Sequence, residues 1–144
     1  MITVSIVEDN AQLCATLARV INRAEGFRCL SHYATAEAAL EALPKDRPDV
    51  VLMDINLPGI SGIEALQILR EDPATAHIPV IALSANAMPR DIEKGLKAGF
   101  FRYLTKPINV DEFMGTLNIA LEFAGRTQAI DQFSRDSERQ NPGR

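Results

Sequence analysis

Short β-branched runs alternate with longer amphipathic stretches five times along the chain, a pattern that predicts a parallel α/β domain. The predicted strands are Ile2 to Val7, Phe27 to Ser31, Val50 to Met53, Val80 to Leu83 and the weaker Arg102 to Thr105. Three of them are nearly continuous apolar sequence, as expected of strands covered on both faces. Leu13, Leu17, Val20, Ile21 and Ala24 fall on one face of a helix predicted from Ala11 to Glu25, which Gly26 stops. Thr35 opens a second helix through about Leu43, striped by Ala36, Ala39, Leu40 and Leu43, and Pro44 and Pro48 are read as bracketing the turn after it.

Local chemistry marks the remaining helix starts. Ser61 followed by Glu64 has capping-box spacing, so a third helix is expected from there to about Glu71. Pro89 suits the first turn of a fourth helix ending near Gly99, because its missing N–H costs nothing there. Asn109 and Glu112 repeat the cap logic for a fifth helix carrying Phe113, Leu117, Ala120, Leu121 and Ala124. Residues 1–124 are therefore expected to form one domain, and the polar, breaker-rich 125–144 a frayed helix end with a disordered tail or linker stub.

The length of 144 residues, 47% hydrophobic and 24% charged, suits one folding unit. A formal charge of −4 argues against binding along a nucleic-acid backbone, so no direct nucleic-acid contact is expected. Cys14 and Cys29 form neither a CxxC nor a Cys/His cluster, and read as small apolar residues. The opening MITVSIVEDN has no signal-peptide or membrane-span character, which points to the cytoplasm.

In an open parallel sheet, ligands bind beyond the carboxyl ends of the strands. Those ends hold Glu8-Asp9-Asn10, Asp54, Ser84 and Lys106-Pro107. Taken singly, Glu8 and Asp9 could be helix-dipole acids, Asp54 a turn residue, Ser84 a strand-end hydroxyl and Lys106 a solvated charge. Brought into one crevice, the carboxylates would repel one another and call for a hard cation such as Mg²⁺. Such an ion could neutralise a phosphoryl group arriving on a carboxylate, while Lys106 and Ser84 hold its other oxygens.

The stretches VSIVEDN, VVLMDINLPGISG, VIALSAN and YLTKP resemble the response-regulator receiver family, over roughly Thr3 to Ala124. The resemblance implies a flavodoxin-like, doubly wound (βα)5 three-layer sandwich around a five-stranded parallel sheet. It implies Asp54 as phosphoacceptor, and Mg²⁺, with Mn²⁺ able to replace it, on Asp9, Glu8, Asp54 and the backbone carbonyl of Asn56. Ser84 matches the switch hydroxyl, Lys106 the phosphoryl-stabilising lysine, Tyr103 the aromatic switch, and the bond to Pro107 is expected to be cis. Asn56 and Asn86 match positions that tune aspartyl-phosphate lifetime. Neither can place an acid or base over the attacking water, so a moderately long-lived phosphoryl state is expected.

The partners implied are a sensor histidine kinase or histidine phosphotransfer protein, docking near Ala11 to Leu17, and a downstream effector protein or domain. A phosphorylation-linked homodimer through the fourth helix, fifth strand and fifth helix is a further possibility. No separate substrate is expected to be turned over. Two departures from the common pattern stand out: Glu8 replaces the more frequent Asp, and Phe100, Phe101 and Arg102 precede Tyr103, the aromatics filling either core or a docking patch. Other readings are a phosphorylation-independent interaction module on the same fold, or a phosphohydrolase of the haloacid-dehalogenase type. The latter would need an acid where Asn56 stands. A dinucleotide-binding domain would need a GxGxxG after the first strand, which is lacking.

Overall fold

The computed structural model describes residues 1–120, 122 and 123. In chain order they form β1 (Ile2–Val7), α1 (Ala11–Arg23), β2 (Phe27–Tyr33), α2 (Ala36–Asp46) and β3 (Val50–Asp54). There follow α3 (Gly62–Glu71), β4 (Val80–Ser84), α4 (Pro89–Ala98) and β5 (Arg102–Thr105). Helix α5 spans 110–120. The strands form one sheet in the order β2-β1-β3-β4-β5, with every pairing parallel.

Alternation of side chains along each strand divides the core into two halves. Val50, Leu52, Ile81 and Leu83 face a cluster with Leu17 and Ile21 of α1 and Phe113 and Leu117 of α5. Their neighbours Val51, Met53, Val80 and Ala82 face the other side, against Ala39 and Leu43 of α2 and Ala65, Leu66 and Leu69 of α3. Helices on both sheet faces explain why β3 and β4 are buried along their whole length. Phe100 lies in the second core half, and Phe101 packs partly buried against the first, so both aromatics serve packing.

Caps hold the helix starts where polar residues were spaced for them. Asn10, Thr35 and Ser61 accept from the backbone amides of Leu13, Ala38 and Glu64, and Asn109 does the same for Glu112. Three boundaries differ from expectation by two residues or more. Strand β2 continues to Tyr33, because pairing with β1 persists through Val7 beyond a register shift at Val4/Ser5. Helix α1 ends at Arg23, where the Ala24 amide turns back to Val20 and Ile21, leaving Gly26 to make the turn at φ 88°.

The third difference is that Pro44 lies inside α2 rather than in the turn after it. The lost proline N–H is offset by ties on the last turn. Asp46 accepts from Ser31 Oγ at 3.1 Å and from the Tyr33 hydroxyl, and the Arg47 amide donates to Leu43 before the chain leaves in a left-handed conformation. Leu121, Ala124 and the 125–144 segment lie outside the described residues, among which no helix is long and apolar enough to cross a membrane.

At the start of α3 a Cβ on Gly62 would stand 2.5 Å from Ile55 Cα and 2.8 Å from the Asp54 carbonyl oxygen. The absence of a side chain thus lets α3 press directly against the end of β3.

Candidate functional site

Strand order reverses between β1 and β3, since β1 pairs with β2 on one side and with β3 on the other. A crevice beyond the carboxyl ends is expected at such a point. Glu8 and Asp9 follow β1 there, Asp54 ends β3, Ser84 ends β4, and Lys106 follows β5. One carboxylate oxygen from each of Glu8, Asp9 and Asp54 lies within 4.8 Å of the others.

Glu8 is 2% exposed and Asp54 3%, whereas Asp9 faces solvent. The Lys106 ammonium donates to Glu8 Oε1 at 2.6 Å and to Asp54 Oδ2 at 3.2 Å. Asp54 Oδ1 accepts the Asn56 amide at 2.9 Å. The Glu8 amide donates to the Tyr33 carbonyl, which fixes the backbone carrying the first acid.

Burial, with Asp54 beside it, pushes the Glu8 carboxyl up to about 7, against the opposing pull of Lys106. Burial acts on Asp54 in the same sense but is outweighed by the neighbouring Glu8 carboxyl, the Asn56 amide and Lys106, so its pKa falls below the ordinary value. Burial likewise works against the Lys106 charge, and the two carboxylates overcome it and raise that pKa. Of the two buried acids, Asp54 is therefore the one kept ionised.

The hydroxyl side of the crevice forms a second network. Ser84 Oγ, fully buried, accepts from Asn56 Nδ2 at 3.2 Å and from the Asn86 amide at 3.0 Å. Asn86 donates from Nδ2 to Asp91 and accepts the Met88 amide, while its carbonyl accepts the Tyr103 hydroxyl at 3.0 Å. Tyr103 is half-buried, and its ring lies where a Cβ on Gly95 would come within 3.0 Å.

The acids fit a divalent cation. Glu8 Oε2 is, among the described residues, the buried side-chain polar atom left without a hydrogen-bond partner. An orphaned carboxylate oxygen in a cluster of hard oxygen donors is the kind of ligand that Mg²⁺ or a similar ion takes.

Comparison with known proteins agrees with this geometry. Residues 4–118 match the family described as the response regulator receiver domain. The chain belongs to that family. As a receiver it is 41% identical over 115 residues to the polar-differentiation response regulator DivK of Brucella anthropi, covering 80% of this chain and 92% of that protein. Its fold superposes on the Francisella response regulator 1452 receiver domain with TM-score 0.78 at 28% identity, over 88% of this chain and 99% of that one. The response regulator domain of Thermotoga maritima CheB gives 0.74 at 26%, over 85% and 97%. The receiver assignment is one of two-component signalling, and the five-stranded flavodoxin-like architecture is common to these structures.

Of the strand-end residues singled out from the receiver's sequence, Glu8, Asp9, Asp54 and Lys106 converge on one crevice, Ser84 joins it through Asn56, Asn10 caps α1 instead, and the Lys106-Pro107 bond is cis. Tyr103 stands at its rim through Asn86. Sequence reasoning did not find that Lys106 binds Glu8 more closely than Asp54, nor that Asn56 Nδ2 reaches Ser84. These partners are 98 and 28 residues apart, and no local spacing signals either contact. It also missed Glu37, whose Oε1 accepts the Ile60 amide across the loop after Asp54.

Proposed function

We propose that this receiver takes a phosphoryl group on Asp54 from a phosphohistidine of a histidine kinase or phosphotransfer protein. The supporting observation is the electrostatic asymmetry of the two buried acids: Asp54 is held ionised and tied to Lys106, while Glu8 stays near half-protonated at neutral pH. Only an ionised carboxylate is a competent nucleophile.

In the transfer, an Asp54 carboxylate oxygen forms a bond to phosphorus as the imidazole N–P bond breaks and the imidazole leaves. Glu8, Asp9, Asp54 and the Asn56 carbonyl would hold Mg²⁺, or Mn²⁺ in its place. Bound there, the ion would supply positive charge against the phosphoryl oxygens. Lys106, already at 3.2 Å from Asp54, turns from Glu8 to a phosphoryl oxygen.

Ser84 carries a hydroxyl proton that none of its present acceptor bonds uses, and donating it to the phosphoryl group draws Oγ away from Asn56. Movement of the Asn86 loop then releases the Tyr103 hydroxyl, and the ring turns inward. The face of α4, β5 and α5 is thereby presented to an effector or a second copy, a population shift biased by the new phosphoryl contacts. The unit so acting is residues 1–124, working in the cytoplasm and turning over no separate substrate.

The reading is tested by incubating the wild type and Asp54→Asn with Mg²⁺ and a small phosphodonor, and separately with beryllium fluoride. Intact mass and NMR should detect a metal-dependent adduct on the wild type alone. An equal adduct on the mutant would place the phosphoryl group elsewhere and overturn the assignment.

A further inference from the structure

Residues 55–61 join β3 to α3 and carry the Asn56 carbonyl. Their ends are tied within the site: the Ile55 amide donates to Leu83, the Asn56 amide to Asp54, and the Gly62 amide to Ile55. Leu57 is buried in the core. The tip at Pro58, Gly59 and Ile60 is held from outside the loop, by Glu37 of α2.

Glu37 Oε1 accepts the Ile60 amide at 2.9 Å. Gly59 has φ 79°, a conformation that favours glycine, and a Cβ built on it would lie 2.5 Å from the same oxygen, so the carboxylate lies directly over the turn and would have to swing aside for any side chain there. The Ile60 amide and then Glu37's own amide hold this carboxyl below its usual pKa, in keeping with the bond to the loop. Glu37 also projects from a fixed element. Ala36, Ala39 and Leu43 bury α2, and Asp46 bonds it to Ser31 and Tyr33 of β2, while Ser31 shares a hydrogen bond with Ser5 of β1.

We propose that Glu37 is a positioning residue: by holding the Ile60 amide it sets the β3–α3 loop, and through it the Asn56 carbonyl offered to the metal. This rests on the reading of Asn56 and Asp54 given above. An acid in the first turn of a helix has an ordinary use in opposing the dipole, and that use would affect α2 alone. The positioning role reaches a site on another element, and separates from it by what is measured.

The test titrates Mg²⁺ into the full chain by calorimetry, with melting temperature and Ile60 amide exchange recorded on each variant. Glu37→Ala is expected to speed exchange at Ile60 and weaken Mg²⁺ binding by roughly threefold to tenfold, with little change in melting temperature. Glu37→Gln keeps the acceptor oxygen and should recover most of the affinity. Glu41→Ala removes an exposed charge elsewhere on α2 and should leave affinity unchanged. Gly59→Ala should displace the carboxylate and also strain the turn at φ 79°, so it should weaken Mg²⁺ binding at least as much as Glu37→Ala.

Wild-type affinity in Glu37→Ala, despite faster exchange at Ile60, would overturn the positioning role alone. So would Glu37→Gln as weak as Glu37→Ala, since the charge rather than the bond would then be acting. No Mg²⁺ binding by the wild type would overturn the reading of the site itself, and the positioning role with it.

Discussion

Lys106 Nζ lies 2.6 Å from Glu8 Oε1, closer than its 3.2 Å to Asp54 Oδ2, so the lysine rests chiefly on the acid that is not the proposed nucleophile. Replacing it with methionine removes the main influence that keeps the Glu8 pKa down. In Lys106→Met the Glu8 carboxyl should titrate above its present value of about 7, read by carboxyl-carbon NMR. Phosphorylation by a small donor should slow by roughly a hundredfold, as for loss of one transition-state charge contact. An unmoved Glu8 titration would show that the contact does not govern the acid.

Glu8 also gives the metal-free protein a definite pH response. Its folded pKa of about 7 exceeds the ordinary 4.5, so the folded state keeps a proton that the unfolded chain releases. That contribution is complete below the unfolded value and is lost as pH rises through 7. The Asp54 pKa is lowered below an ordinary 3.8 and that of Lys106 is raised above 10.5, so neither titrates near neutrality. In chelator, urea unfolding should show about 1–2 kcal/mol more stability at pH 5.5 than at pH 8, and Glu8→Gln should flatten the difference. Saturating Mg²⁺ should reverse the slope, because the cation favours the ionised acid.

Removing the Ser84 hydroxyl deprives Asn56 Nδ2 and the Asn86 amide of their acceptor. Ser84→Ala should lose about 1 kcal/mol in urea unfolding. It should still form the beryllium fluoride adduct at Asp54. The adduct should leave the Tyr103 ring signals nearly unshifted, and a wild-type shift there would remove Ser84 from the relay.

Gly95 offers a way to move Tyr103 without touching the acids. Glycine to alanine within a helix ordinarily stabilises by about 1 kcal/mol. Here the new Cβ would come to 3.0 Å from ring atoms Cδ2 and Cε2. Gly95→Ala should displace the ring from Asn86 and bring its NMR signals toward their adduct positions in the unphosphorylated protein. Unchanged ring signals would mean that α4 yields instead.

The aspartyl phosphate should persist for minutes. Asn56 and Asn86 offer amides and no acid or base to an attacking water, and both amides already have partners in Ser84 and Asp91. Loss within seconds in a radiolabel chase would overturn this.

The parts of the fold that follow from local rules were legible in the sequence. The continuous apolar runs of the central strands and the side-chain caps at Asn10, Thr35, Ser61 and Asn109 depend on residues a few positions apart. Pro44 misled because its effect on a helix is local, whereas Asp46 holds that turn through bonds to another strand. The site acids were legible because a parallel sheet must bring its strand ends together, and the motif resemblance named them. Burial was not: nothing in Glu8-Asp9 says that the first is sealed from water and the second exposed, and the unusual titration of Glu8 comes from that difference. Glu37 was hidden because its helix position has a sufficient explanation of its own.

Gly62 limits how this neighbourhood can change. Any side chain there would collide with the backbone of Ile55 and the Asp54 carbonyl, not with the yielding end of another side chain. The collision could be relieved only by backing α3 away or by pushing Asp54 out of the crevice. Exchanging an acid or amide of the crevice for one of like size brings no such collision with the backbone. The residue beside them with no functional group leaves selection almost no alternative.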